Sequence, residues 1–290
     1  LLSVQEQLFT PHYVPVGWCH PHNPVIPYEA IRDAALSIAS AAYRKRVMGY
    51  LTIDFVTFRK ASHNSKSLGG AASSSAIGRA AAAAPDDSAS SLRLWAVDID
   101  MGWTPAAAMH SLIVLVTGAR QDPTTGRVTT VPAGTADGSS SEFVPPGSPT
   151  SSSGARTLHY VFSGLLYHPY IGALRHSVFF ALCRQRGLSY DSHTRAGVVY
   201  QLVDVLLRGA VGAAAIGTTA QHAISQMVDF LDLLQAQLIA ANAPFDEPNT
   251  NVPSVVAAAR NVAQKLSGSK RGGGGSVAAL GVSGGGASRR

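Results

Sequence analysis

Two short runs of residues constrain this chain more than anything else in it. They are Gly49-Tyr50-Leu51-Thr52-Ile53-Asp54-Phe55-Val56-Thr57-Phe58 and Leu92-Arg93-Leu94-Trp95-Ala96-Val97-Asp98-Ile99-Asp100. Both alternate apolar residues at the two-residue period of a β-strand, and both are rich in β-branched and aromatic side chains. Between them, residues 61–91 are dominated by Ala, Ser and Gly, which reads as a disordered insert in what is otherwise a hairpin. Residues two apart on a strand share a face, so Asp98 and Asp100 are expected to point the same way. With Asp54 brought alongside, three carboxylates would form the hard-oxygen set that Mg²⁺ and, through it, nucleotide phosphates require. Asp54, Asp98 and Asp100 are therefore the candidate metal and ATP-site residues.

The flanking sequence supplies partners for such a hairpin. Ile26–Met48 has Pro27 at a first turn and apolar residues at Ile31, Ala35, Ile38, Ala42 and Tyr43, the spacing of an amphipathic helix packed on a sheet. Thr104-Pro105 opens a second helix that Gly118 ends. A second folded unit starts near residue 156. Leu158–Leu166 reads as a strand, Gly172–Gln185 as a helix, and Leu188–Asp191, Gly197–Asp204 and Ala210–Ile216 as three short strands. Thr218–Ala241 closes it as a helix with Ile224, Val228, Leu231, Leu234 and Leu238 along one face. The order β-α-β-β-β-α over 156–242 indicates a small module, and the fold class is α/β (α+β). Residues 1–24 read as an irregular lead-in, 121–155 as a Pro/Gly/Ser/Thr linker, and 243–290 as a disordered tail with a short helix near Val255–Leu266.

Charge separates tail from body. Of 23 basic residues, Arg260, Lys265, Lys270, Arg271, Arg289 and Arg290 lie beyond Asn249, where no acid occurs; the remaining 17 balance the 17 acids. A neutral body argues against a nucleic-acid groove, and the basic tail suits an acidic surface such as a microtubule lattice. No apolar run is long enough for a membrane span and no secretory signal is visible, so the expected location is cytoplasmic. The two cysteines, Cys19 and Cys183, form no ligand pattern and fit a reducing compartment.

The strand pair with Asp54 and Asp98-Ile99-Asp100 resembles the C-terminal half of an ATP-grasp domain, which places that half at residues 25–120. The resemblance implies that Asp54 matches the first metal-binding acid, Asp98 the second, and Asp100 a position usually held by Asn. Where a Pro with a basic residue usually follows, this chain has Met101-Gly102-Trp103. Longer stretches, including Leu94–Val97, Leu112–Gly118 and Leu182-Cys183-Arg184-Gln185-Arg186-Gly187-Leu188-Ser189-Tyr190-Asp191, resemble the C-terminal region of the IQ motif-containing protein H family over most of 25–240. That resemblance implies a protein of cilia and flagella. Animal members have a Gly-Leu-Asn type sequence in place of the acidic triplet, which implies an ATP-grasp fold kept as a scaffold.

Other constellations carry less. Cys19-His20-Pro21-His22 with His12 offers one cluster of ligand types without a second pair, so it reads as a packed loop with incidental histidines. His110-Ser111 and His176-Ser177 are helix neighbours that face apart and form no nucleophile–base pair. No IQ motif occurs in this chain, so calmodulin is a partner implied only for longer family members. The expectation is a non-catalytic scaffold of the ciliary or flagellar axoneme, with no cofactor, contacting other axonemal proteins; the alternative is an ATP/Mg-dependent carboxylate ligase or nucleotide-binding regulator using Asp54, Asp98 and Asp100.

Overall fold

The structure is a computed structural model, which describes residues 1–10, 13–22, 26–59, 92–130, 156–201, 203–245 and 250–268. The 61–91 insert, most of the 121–155 linker and the chain from 269 on lie outside the described residues. The chain is a mixed α/β protein with five α-helices among those residues, consistent with an α+β, ATP-grasp-like fold. It divides into two units: Leu1–Leu2 with Pro24–Ala107, and Ser3–Asn23 with Ala108–Arg290.

The second unit begins at the N-terminus. Residues 1–24 are not an irregular lead-in throughout: β1 (Glu6–Phe9) and β2 (Pro15–His20) form an antiparallel pair. The Pro and His residues hide this in the sequence, because Pro15 stands at a strand's first position, where no ladder donor is lost.

The first unit holds α1 (Tyr28–Arg44), β3 (Leu51–Arg59) and β4 (Leu92–Met101). On α1 the buried residues are Tyr28, Ile31 and Ala35, one side of the first two turns. The two strands pair only with each other among the described residues, antiparallel, with a register shift at Asp54/Phe55. Asp54 lies opposite Asp98 and Phe55 opposite Ala96, so Val97 is the extra, bulged residue. Thr104 accepts from the amide of Ala107 at 3.4 Å, the expected cap of α2 (Pro105–Thr117), and Gly118 leaves the helix at φ +62°.

In the second unit come β5 (Arg120–Gln121), β6 (Val128–Thr130) and β7 (Arg156–Thr157), a small sheet of their own. β8 (His159–Ser163) and β9 (Leu166–Tyr167) follow, then a 3₁₀ turn at Pro169–Ala173 and α3 (His176–Gln185). The chain continues through β10 (Gly197–Gln201), a second 3₁₀ turn at Val203–Arg208, β11 (Ala210–Gly217), α4 (Ala220–Ala240) and α5 (Val252–Gly268). The main sheet has the order β1-β2-β8-β11-β10, with β9 beside β11. β2 approaches β8 so closely that a Cβ on Gly17 would run into the Phe162 carbonyl.

Three further expectations are corrected. Leu188–Asp191 is no strand; Ser189 and Asp191 make only isolated bridges to Val198 and Ala196. The Gly172–Gln185 helix splits at Leu174, which is extended, into a 3₁₀ turn and α3. The helix expected near Val255–Leu266 is present as α5 and longer, Val252–Gly268, and the tail is not disordered from 243: α5 buries Val252, Val255, Val256, Ala258 and Ala259 and ties to α4 through Arg260–Asp232 at 2.8 Å. The core is centred on α4, whose Ile224, Phe230, Leu231, Leu234 and Leu238 are fully buried, with Thr219 capping it by accepting from the His222 amide. β11 is buried along its whole length, so its small residues let α4 pack against it.

Candidate functional site

The three sequence-selected acids all lie on the β3–β4 ribbon. Cross-strand partners in an antiparallel pair project from the same face, so Asp54 and Asp98 face each other, and Asp100, two residues on, shares that face. Asp100, however, lies opposite Thr52, not an acid, and the Thr52 hydroxyl is engaged with that of Thr104 at 2.8 Å. The Asp98 carboxylate is turned back onto its own strand, accepting from the Ile99 amide at 2.8 Å. Asp98 and Asp100 are exposed, and Asp54 is half-buried. Among the described residues no group of three or more His, Cys, Asp or Glu side chains is gathered as a metal ion would need. The register thus aligns the acids as strand periodicity expects without closing them into the hard-oxygen cage that Mg²⁺ demands.

The ribbon carries a second surface. Trp95 sits 4.7 Å from Phe58 on the acidic face, and Tyr50 meets Trp103 edge-on at 4.4 Å where the ribbon ends. The opposite face presents Val97, Ile99 and Met101, exposed by 56, 47 and 66 %.

The second unit holds a cluster of another kind, which sequence reasoning missed. His20 ends β2 and pairs in register with Tyr160 on β8, the two rings stacking at 4.9 Å and 13°. His20 Nδ1 lies 3.0 Å from the Val4 carbonyl. A carbonyl only accepts, so Nδ1 carries the proton and Nε2 is a bare acceptor. That Nε2 is buried and has no hydrogen-bond partner among the described residues. The Tyr160 hydroxyl takes a bond from the Gln5 amide at 3.3 Å and lies 2.8 Å from His110 Nδ1 on α2. Having accepted from Gln5, it donates to His110, which fixes that ring as the Nε2–H tautomer. His159 stands next along β8 with its Nδ1 also buried and without a partner.

Burial controls the electrostatics here. His20, His110 and Tyr160 are at most 3 % exposed. Loss of hydration disfavours each charged form. It lowers the His20 pKa to about 4, with neighbouring His110, His22 and His159 adding to the effect against the Val4 bond. Desolvation likewise lowers His110 and His159 and raises Tyr160. Cys19, beside them on β2, is pushed up to about 12 by burial and then by Glu6. The thiol is therefore no nucleophile. The cluster is a set of neutral rings locked by hydrogen bonds.

Sequence reading singled out His20 inside Cys19-His20-Pro21-His22 and His110 beside Ser111, but in separate contexts. His12 lies outside the described residues. The available signal was a polar residue on the inward phase of a strand, as at His20 and Tyr160. Strand pairing, which joins residues some 140 apart in number, could not be read from it.

Fold and ribbon together define a mixed α/β protein, consistent with an ATP-grasp-like fold. A family model described as "IQCH-like, ATP-grasp" matches residues 1–70, a stretch that ends past Asp54 and before Asp98. The chain is similar to IQ motif-containing protein H of Danio rerio, at 24 % identity over 243 residues, covering 83 % of this chain and 19 % of that protein. This chain thus spans about a fifth of that relative. No solved structure matches.

Proposed function

We propose that this chain is a non-catalytic scaffold element of cilia or flagella, built on an ATP-grasp-like fold whose acids remain as surface residues and which needs no cofactor. The observation that carries this reading is the β3–β4 ribbon. Its acids are tied into local bonds or exposed, while Val97, Ile99 and Met101 stand out to solvent on the opposite face. An apolar face of this kind suits a protein partner better than a phosphate. The ciliary setting rests on the resemblance to IQ motif-containing protein H, and axonemal proteins are the proposed partners. The tail from 269 adds weak, salt-screened attraction to an acidic lattice.

Incorporation into axonemes tests the proposal. Replacing Val97, Ile99 and Met101 together by Ser should abolish incorporation, while Asp98→Ala with Asp100→Ala leaves it intact. The reverse pattern would overturn it. Removing residues 269–290 should weaken microtubule co-sedimentation at low salt only.

One observation favours a second reading, an ATP/Mg-dependent ligase or nucleotide-binding regulator. Asp54 and Asp98 stand directly opposite, and like charges in that position are unfavourable unless something compensates them. Mg²⁺ bridging to a nucleotide would do so. Calorimetric titration with MgATP separates the two: tight binding that Asp98→Ala and Asp100→Ala remove supports this second reading.

A further inference from the structure

We propose that the His20–Tyr160–His110 cluster is an acid-sensitive latch that holds the β1–β2 hairpin onto the main sheet of the second unit. His20 Nδ1–H donates to the Val4 carbonyl and so pins the segment that leads into β1. Its Nε2 is buried without a partner, so a proton added there would meet no acceptor. His110 takes the Tyr160 hydroxyl proton at Nδ1. Protonating His110 would set two donors against each other, because Tyr160 already accepts from Gln5 on its other side. A proton on His20 Nε2 thus gains no bond there while losing its hydration.

Beyond the Val4 carbonyl, which favours the charged ring, the groups facing His20 oppose its charging. Facing His20 are His110 from α2, and His159 and Tyr160 from β8, with His22 farther along its own chain; all three imidazoles oppose its charging. From β1 the nearby carboxylate is Glu6, which pairs with Cys19 and acts on that thiol. The rest of the contact is aromatic: the His20–Tyr160 stack and, two residues back on β2, Trp18 on Phe162 at 5.0 Å.

The hairpin is also the part of the sheet most easily given up. Among the described residues β1 is an edge strand that pairs only with β2, β2 pairs with β8, and the hairpin touches the α4-centred core through Val16, Leu8 and Cys19. Opening the hairpin hydrates His20 and restores its ordinary affinity for a proton, so acid favours the open form.

Hydrogen exchange on the full chain tests this directly. With His20 near pKa 4 when closed and about 6.5 when open, the opening equilibrium should grow by roughly 30-fold between pH 7.5 and 5. After correction for intrinsic rates, amides of 6–9 and 16–20 should show that gain while those of 224–238 do not. His20→Phe keeps a ring on Tyr160 but cannot titrate, and should remove most of the gain; His22→Gln should leave it unchanged. An unaltered pH response in His20→Phe would overturn the latch. Should His20→Phe fail to fold, the wild-type His20 ring decides by NMR: titration well below pH 5.5 supports the latch, and titration at or above 6.5 overturns it.

Discussion

The two units place their chemistry-bearing residues in opposite ways. On the β3–β4 ribbon the acids Asp98 and Asp100 face solvent and so do the apolar Trp95, Val97, Ile99 and Met101. In the second unit His20, His110 and Tyr160 are buried among aliphatic and aromatic neighbours. A two-stranded ribbon is marginal in water on its own, so it contributes surface and little stability. The buried cluster is the reverse: it presents nothing to a partner, yet every bond in it is held in low dielectric, where an unmet donor or acceptor costs most. The lesson is that conspicuous acids at strand positions mark where a site would lie, whereas the groups with altered protonation lie elsewhere.

If stability resides in the second unit, its centre should be the most sensitive place in the chain. Phe230 is fully buried, against Phe179 at 6.2 Å and Tyr200 at 5.7 Å. Phe230→Ala should cost about 3–5 kcal/mol by urea unfolding. A loss under 1 kcal/mol would show that α4 is not the centre of the core.

The pH dependence comes next in size. His20 has a folded pKa of about 4 against an ordinary 6.5. A lowered histidine pKa means that the unfolded chain binds more protons between those values. The contribution to stability is therefore whole above pH 6.5, falls as pH drops through the window, and is gone below 4. The loss should reach about 3 kcal/mol, visible as a falling Tm between pH 7 and 4, and flatter in His20→Phe. Tyr160→Phe is smaller again: it leaves His110 Nδ1 without its donor, at about 1–3 kcal/mol, with the stack on His20 kept.

The sequence disclosed the ribbon well because alternation is a local signal. β3 and β4 lie within two residues of their expected ends, Thr104 caps α2, and the α4 stripe of Ile224, Leu231, Leu234 and Leu238 is buried. What it concealed depended on partners distant in number. β1 and β2 look irregular until β8 pairs with β2, and α5 looks like tail until Val252 and Val255 meet α4. For the site, the shared face of Asp98 and Asp100 followed from strand period. The turn of Asp98 onto Ile99 and the Thr52 opposite Asp100 depended on register and a bulge that no pattern announces.

The smallest expected effect lies on the acids themselves, and it divides the two regions most sharply. Asp98 accepts one local bond from the Ile99 amide, and Asp100 stands exposed opposite Thr52. Removing both carboxylates takes two like charges from one face of the ribbon, which offsets the lost local bond. Asp98→Ala with Asp100→Ala should therefore change urea stability by less than about 0.5 kcal/mol, while Tyr160→Phe in the same assay costs several times more. A loss above 2 kcal/mol in the double variant would mean that the ribbon acids are structural after all. Stabilisation that appears only when Mg²⁺ is absent would mean that their repulsion is real and that a cation normally relieves it.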